Sequence, residues 1–243
     1  MPSLSTNPTT HQDFSNLFAT SGFINEAFRG FPVGGITHIF GSAGSGKSTL
    51  AMEALLHMAK QELGSFIIDC DRSYSPRRLL QLARGSSKIT DRLTVFHPRT
   101  FQEQSELITK LHLFLDPTIR LIIIDPITGL YRRRLTPKNA ITLYRELTEY
   151  QLPRLLGLAQ QHHLIILAIN QVSSWEGKNR PVGGDAISRY AAMEIQLKRV
   201  DAPSPTCRLM MIKHRNQTTT QHIIVELDQT GFQLRSKENP KKS

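Results

Sequence analysis

Apolar positions along the chain recur with two periods. Ile36 to Phe40, Ser65 to Cys70, Leu93 to Phe96, Ile119 to Asp125 and Leu164 to Asn170 are short runs dominated by Ile, Leu, Val and Phe. Near-continuous apolar runs of this length suit parallel strands covered on both faces. Between them the period lengthens. Leu50, Ala54 and Met58, with Ala51, Leu55 and Ala59, repeat every four residues, and Leu79, Leu80 and Ala83 give a shorter helix its apolar side. Leu107, Ile108, Leu111 and Leu115 mark a third helix, and residues 139–162 read as helical with a kink or restart at Pro153. Ser75 followed by Pro76 supplies a capping hydroxyl and a proline at the one helical position that suits it.

After Asn170 the texture changes. Ser173 to Asp185 is polar and glycine-bearing, which predicts a loop, and three β-rich stretches follow at Met193 to Val200, Arg208 to His214 and His222 to Leu227. Asp228 to Gly231 then turns into Phe232 to Leu234 as a closing hairpin. The prediction is an α/β fold: a central, mostly parallel sheet flanked by helices, with a C-terminal antiparallel β extension. Residues 1–20 read as a polar leader anchored by Phe14, Leu17 and Phe18, residues 21–235 as the core, and residues 236–243 as a basic tail. Phe23, Ile24, Ala27 and Phe28 recur at helical spacing just ahead of the first strand.

The first strand runs into Gly41-Ser42-Ala43-Gly44-Ser45-Gly46-Lys47-Ser48-Thr49, which satisfies G-x-x-x-x-G-K-[ST]. A loop that turns several backbone N–H groups onto a polyphosphate needs positive φ and no Cβ in the way, and the three glycines supply this. Lys47 reaches the β/γ oxygens, the Ser48 hydroxyl ligates Mg²⁺, and the following helix aims its positive end at the same phosphates.

Composition changes the picture in one respect. The chain of 243 residues carries 30 Lys+Arg against 20 Asp+Glu, a formal charge of +10, so an anionic partner is expected, most simply nucleic acid. Cys70 and Cys207 have no C-x-x-C spacing, which predicts reduced thiols and no zinc site. No apolar run approaches the ~20 residues of a membrane span, and Met1 to Thr10 lacks the regions of a signal peptide. A cytoplasmic protein with no membrane partner is the expectation.

In a parallel sheet, ligands lie at the carboxyl ends of the strands. Asp125 closes the most apolar strand, where Mg²⁺ beside Ser48 would offset the cost of burying a carboxylate; a turn cap with Pro126 is the competing reading. Asp69 and Asp71 end another strand, and alternation puts them on one side, where either is a general base or a plain turn carboxylate. Asn170 and Gln171 are neutral amides at a strand end, suited to a γ-phosphate or to a turn. Arg132, Arg133 and Arg134 are expected in a loop at the same face, where three adjacent guanidiniums favour a phosphate backbone. Trp175, Lys178 and Arg180 add an aromatic and two cations, a composition suited to single strands.

Taken in order, Phe40 to Thr49, Ile67 to Leu79, Leu121 to Arg132, Asn170 to Val172 and Pro181 to Gly184 resemble the motif set of the RecA-type recombinases, on the archaeal and eukaryotic strand-exchange branch. Lys213-His214-Arg215-Asn216 before a β-stretch is most similar to the archaeal RadB paralogues. The resemblance implies a RecA-like P-loop ATPase core with ATP and Mg²⁺ as cofactors. Gly41 to Thr49 would bind the phosphates, Ser48 and Asp125 hold Mg²⁺, and Arg78 stack on adenine. Asp71 would serve as catalytic carboxylate, and Gln171 would link the γ-phosphate to the second DNA loop. It places DNA loops at about Tyr131 to Thr136 and Ser173 to Asp185, and makes Lys213 and Arg215 trans-acting cations. The implied partners are single-stranded DNA and a full-length recombinase of the same family, with the protein lying among the nucleoid DNA.

Two departures modify that expectation. The family's catalytic glutamate is replaced by Asp71, about 1.5 Å shorter, which predicts slow hydrolysis. The Phe-x-x-Ala docking element is not met, since Phe14-Ser15-Asn16-Leu17 has Leu in place of Ala and Phe18 to Ser21 also fails, so self-association is expected to be weak at most. An ATP-gated interaction module and a KaiC-like hexameric signalling or helicase-like ATPase stay open as alternatives. No Asn-Lys-x-Asp base-reading motif points to a GTPase.

Overall fold

The computed structural model describes residues 30–85, 87–175, 178–183, 185–200, 206–214 and 217–238. The expected leader, the helix ahead of the first strand, Gly184 and Arg215 lie outside the described residues.

Five parallel strands form one half of the sheet: β1 (Gly35–Gly41), β2 (Gly64–Asp69), β3 (Leu93–Phe96), β4 (Ile119–Asp125) and β5 (Ile165–Trp175). β6 (Lys178–Pro181) pairs back on the end of β5. The other half is β7 (Ala191–Arg199), β8 (Thr206–His214), β9 (Gln217–Asp228) and β10 (Gly231–Glu238). The order across the sheet is β10-β9-β8-β7-β1-β5-β4-β2-β3. β7 still runs parallel to β1, and direction alternates only from β7 outward. β1 is therefore central, and its carboxyl end has structure on both sides.

The helices follow the apolar spacing. They are α1 (Lys47–Lys60), α2 (Pro76–Leu82), α3 (Phe101–Lys110), α4 (Gly129–Arg134), α5 (Ala140–Arg145), α6 (Leu152–His162) and α7 (Ala186–Tyr190). Ser75 caps α2 by accepting from Arg78 N at 3.2 Å, with Pro76 in the first turn as its spacing predicts. Strand alternation divides the core between two faces. Leu121, Ile123, Ile165, Leu167 and Ile169 pack with α1 and α2, whereas Ile122, Ile124, Ile166 and Ala168 pack with α3 and α6. Each fully buried Ile or Leu contributes about 1.5–3 kcal/mol of burial free energy, so both faces hold the parallel strands in register.

Residues 140–162 are helical throughout, and the irregularity expected near Pro153 is a π-turn, Glu146–Gln151, between α5 and α6; three other expectations are corrected. Pro153 has no N–H to donate and its ring crowds the preceding turn, and a widened turn absorbs both conflicts. Ser173 to Asp185 is not a loop, because β5 and β6 make an antiparallel hairpin there, with Ser173 opposite Arg180 and Trp175 opposite Lys178. The three arginines sit on α4 rather than in a loop. β10 continues to Glu238, into the stretch expected as tail.

Candidate nucleotide site and the cleft beside it

The P-loop joins β1 to α1. Gly44 and Gly46 have φ of +68° and +97°, the left-handed region where a side chain is strained. Gly46 is the N-cap of α1 and no side chain caps the helix. Its first-turn N–H groups therefore point into the loop, where an anion is their natural partner. Lys47 donates to the Gly41 carbonyl at 3.0 Å and the Ser42 carbonyl at 2.7 Å, which folds its ammonium back over the loop. Burial lowers its pKa, with the Asp125 charge opposing.

Ser48 Oγ donates to Asp125 Oδ2 at 2.7 Å, across 77 residues of sequence. The strand-end aspartate is thus beside the P-loop hydroxyl, as its position after the apolar run predicts. Burial pushes the Asp125 carboxyl up to about 6, Asp71 and Asp69 adding to the rise while Ser48 and Lys47 oppose it. Among the described residues no group of three or more His, Cys, Asp or Glu is set to hold a metal. One carboxylate and one hydroxyl nevertheless fit Mg²⁺, which takes few protein ligands and completes its shell with nucleotide phosphates and water.

The pair at the end of β2 separates. Asp69 is buried and accepts from the backbone N–H of Ser73 and Tyr74 at 3.0 and 3.2 Å, with His97 Nδ1 3.3 Å away. It organises the turn, whereas Asp71 is exposed. The two are not on one side, because β2 ends at Asp69 and alternation stops with it. Asn170 and Gln171 also divide, and they do not end their strand, because β5 runs on through them to Trp175. Asn170 is fully buried, accepting from Thr128 Oγ1 at 2.6 Å and donating to Val182 O at 2.8 Å, so it knits strand ends together. Gln171 is the amide left at the surface, and its Oε1 accepts from Arg132 Nη1 at 3.1 Å.

The arginines on α4 diverge. Arg132 turns to Gln171, and Arg133 donates to the Cys70 carbonyl, one residue from Asp71. These groups enclose a cleft of about 320 Å³ lined by Asp71, Thr128, Gly129, Arg132, Arg133 and Gln171. No feature of the sequence brought Thr128 and Gly129 to this cleft; the turn after β4 does so.

The antiparallel half supplies contacts to the P-loop that spacing did not reveal. A Cβ on Gly41 would lie 2.2 Å from the Leu197 carbonyl, and one on Gly46 would lie 2.7 Å from the Phe232 ring. Cys207 Sγ reaches Ser45 O at 3.4 Å. Glu53 of α1 accepts from Phe232 N at 2.6 Å, and its other oxygen is buried without a partner. Burial pushes that carboxyl up to about 7, Asp228 adding to the rise while the Phe232 N–H and Arg78 oppose it. Arg78 donates to the Asp228 and Gln229 carbonyls at 3.0 and 2.9 Å, so its head is engaged by the β9–β10 turn.

Lys178 and Arg180 fall on β6, and Lys213 falls on β8 opposite Glu194 of β7. Both cysteines are free and buried. No described helix is long and apolar enough to cross a membrane.

The Rad51 family model matches residues 20–231. A DNA repair and recombination protein RadB from Thermococcus kodakarensis is 32% identical over 193 residues, covering 76% of this chain and 84% of its own length. Its counterpart from Methanococcus maripaludis is 29% identical over 204 residues, 83% of this chain and 93% of that protein. One from Methanococcoides burtonii is 27% identical over 202 residues, 82% and 89%. The crystal structure of a RadB recombinase superposes with a TM-score of 0.76 at 24% identity, covering 90% of this chain and all of that one, a likeness of fold.

Proposed function

The chain belongs to the Rad51 family and, within it, to the RadB group, and from that premise we propose that it is an ATP-binding, DNA-binding protein of homologous recombination and repair. It assists a full recombinase of its own family rather than replacing one, and works among the nucleoid DNA in the cytoplasm. The observation that carries this reading is the Ser48–Asp125 pair, 2.7 Å apart beneath an uncapped helix end.

In this reading Gly41, Ser42, Ala43, Gly44, Ser45, Gly46 and Thr49 wrap the phosphates, and Lys47 leaves its carbonyl partners for the β/γ oxygens. Ser48 and Asp125 hold Mg²⁺, which when bound neutralises charge on those oxygens. Arg78, braced by the β9–β10 turn, stacks on adenine. Asp71 orients the attacking water, and Gln171 reports the γ-phosphate to the hairpin. Arg134, Lys178 and Arg180 meet the backbone of a single strand; Arg132 and Arg133 line the cleft and add to the field. Lys213 and Arg215 act on a neighbouring subunit's nucleotide where copies associate weakly.

A titration of single-stranded DNA with and without ATP–Mg²⁺ tests the proposal, with salt varied and mass measured in the same buffers. The expected result is affinity that falls steeply with salt, since several phosphates shed counterions. Equal binding at low and high salt would remove the assignment.

A second reading, an ATP-gated interaction module, is favoured by one residue. Asp71 is exposed and about one C–C bond short of the family's glutamate. Asp71→Glu separates the two: a gain of about tenfold in hydrolysis supports a working ATPase, and no gain supports the module.

A further inference from the structure

The cleft beside Asp71 combines groups that a simple anion site does not need. Arg132 and Arg133 are bonded there to neutral oxygens, Gln171 Oε1 and Cys70 O, so both keep their full charge and their remaining N–H donors. Next to them stands a carboxylate, which accepts hydrogen bonds and repels anions. A DNA backbone diester satisfies the guanidiniums but has no proton to offer Asp71. Sulfate has none either near neutral pH. Inorganic phosphate does: its bare oxygens accept from the guanidinium forks while its O–H donates to the carboxylate.

We propose that this cleft is a site for inorganic hydrogen phosphate, in which Arg132 and Arg133 hold the charge and Asp71 reads the proton. With two guanidiniums and one carboxylate in its lining, the cleft is positive overall, and about 320 Å³ accommodates the ion with some of its water. The inference rests on the ATPase reading only for the source of the ligand. Water attacking the γ-phosphorus breaks the bond to the bridging oxygen, which leaves with ADP; hydrogen phosphate and one proton are the other products. The phosphate is then left on the side where Asp71 stands, and its retention there would slow turnover.

Calorimetric titration of the full chain, first saturated with ADP–Mg²⁺ so that the P-loop's own anion site is filled, tests this with inorganic phosphate and sulfate as probes. Phosphate is expected to bind at least tenfold more tightly than sulfate. Arg133→Ala is expected to weaken phosphate at least tenfold while ADP affinity holds, and Asp71→Asn to erase the preference by admitting sulfate. Equal binding of the two ions by the unaltered chain would overturn the proposal. So would an unchanged phosphate affinity in Arg133→Ala, or displacement of phosphate by a short single-stranded oligonucleotide, which would mark the cleft as a backbone contact. Lys47→Ala without ADP should keep the preference for phosphate, so a failure of nucleotide binding and a failure of the cleft are read separately.

Discussion

The two halves of the sheet treat the P-loop in different ways. On the parallel side, β4 ends in Asp125, Asp71 stands just past the end of β2, and Gln171 lies within β5, and these are the groups to which the proposed function gives the chemistry. On the antiparallel side, the Leu197 carbonyl closes on Gly41, Cys207 touches Ser45, and Phe232 lies over Gly46 and is tied to Glu53. One half supplies reactivity and the other supplies shape. A phosphate cradle needs both, because N–H groups bind an anion tightly only when their directions are set in advance.

Substitutions that separate shape from chemistry test this division. The largest effect is expected for Gly41→Ala, whose Cβ would meet a backbone carbonyl at 2.2 Å that cannot rotate away. Overpacking against backbone there should cost more than about 3 kcal/mol, visible as loss of a cooperative melt; a normal melting curve would show that β7 does not confine the loop.

Glu53 gives a pH-dependent version of the same test. Its carboxyl is held protonated up to about 7 in the fold, against an ordinary value of 4.5. Between those values the folded chain keeps a proton that the unfolded chain has lost, so this contribution is complete below the unfolded pKa and is lost as pH rises through 7. The loss is about 3 kcal/mol. Denaturant melts from pH 5 to 8 should show it, and Glu53→Gln, which cannot ionise, should flatten the profile by that amount; parallel profiles for the two chains would refute the assignment.

Lys47→Ala removes chemistry without shape. Nucleotide affinity should fall by about a hundredfold, equal to roughly 2.7 kcal/mol, while the melting temperature of the nucleotide-free chain stays within a degree or two. A large drop in melting temperature would mean that the Lys47 contacts to Gly41 and Ser42 are structural.

Arg134→Ala should have the smallest effect. One phosphate contact fewer reduces the slope of log affinity against log salt by about 0.7 for single strands and about 0.9 for duplex, with nucleotide affinity unchanged. The same loss on substituting Arg132 alone would return that residue from the cleft to the DNA face.

The elements show how much could be read in advance. β3 and β4 have the bounds their apolar runs predict, and α2 begins where Ser75 and Pro76 announce it. Apolar period and cap chemistry are local, so they survive in one dimension. The errors fall where polar composition was read as loop: the polar stretch after Asn170 pairs with itself as the β5–β6 hairpin, and the arginines are helical as the chain leaves the buried end of β4.

The sequence by itself determined the strand, glycine loop and helix of the phosphate cradle, the alternation of buried strands with amphipathic helices, and the excess of positive charge. These depend on residue type and spacing alone. Only the tertiary structure decided that Asp69 turns inward while Asp71 stays at the surface, that two of three adjacent arginines face a cleft with Asp71, and that Phe232, nearly two hundred residues beyond Gly41, closes over the loop. Those outcomes depend on the order in which strands lie side by side, which is set by how two faces of one sheet bury their apolar surface together.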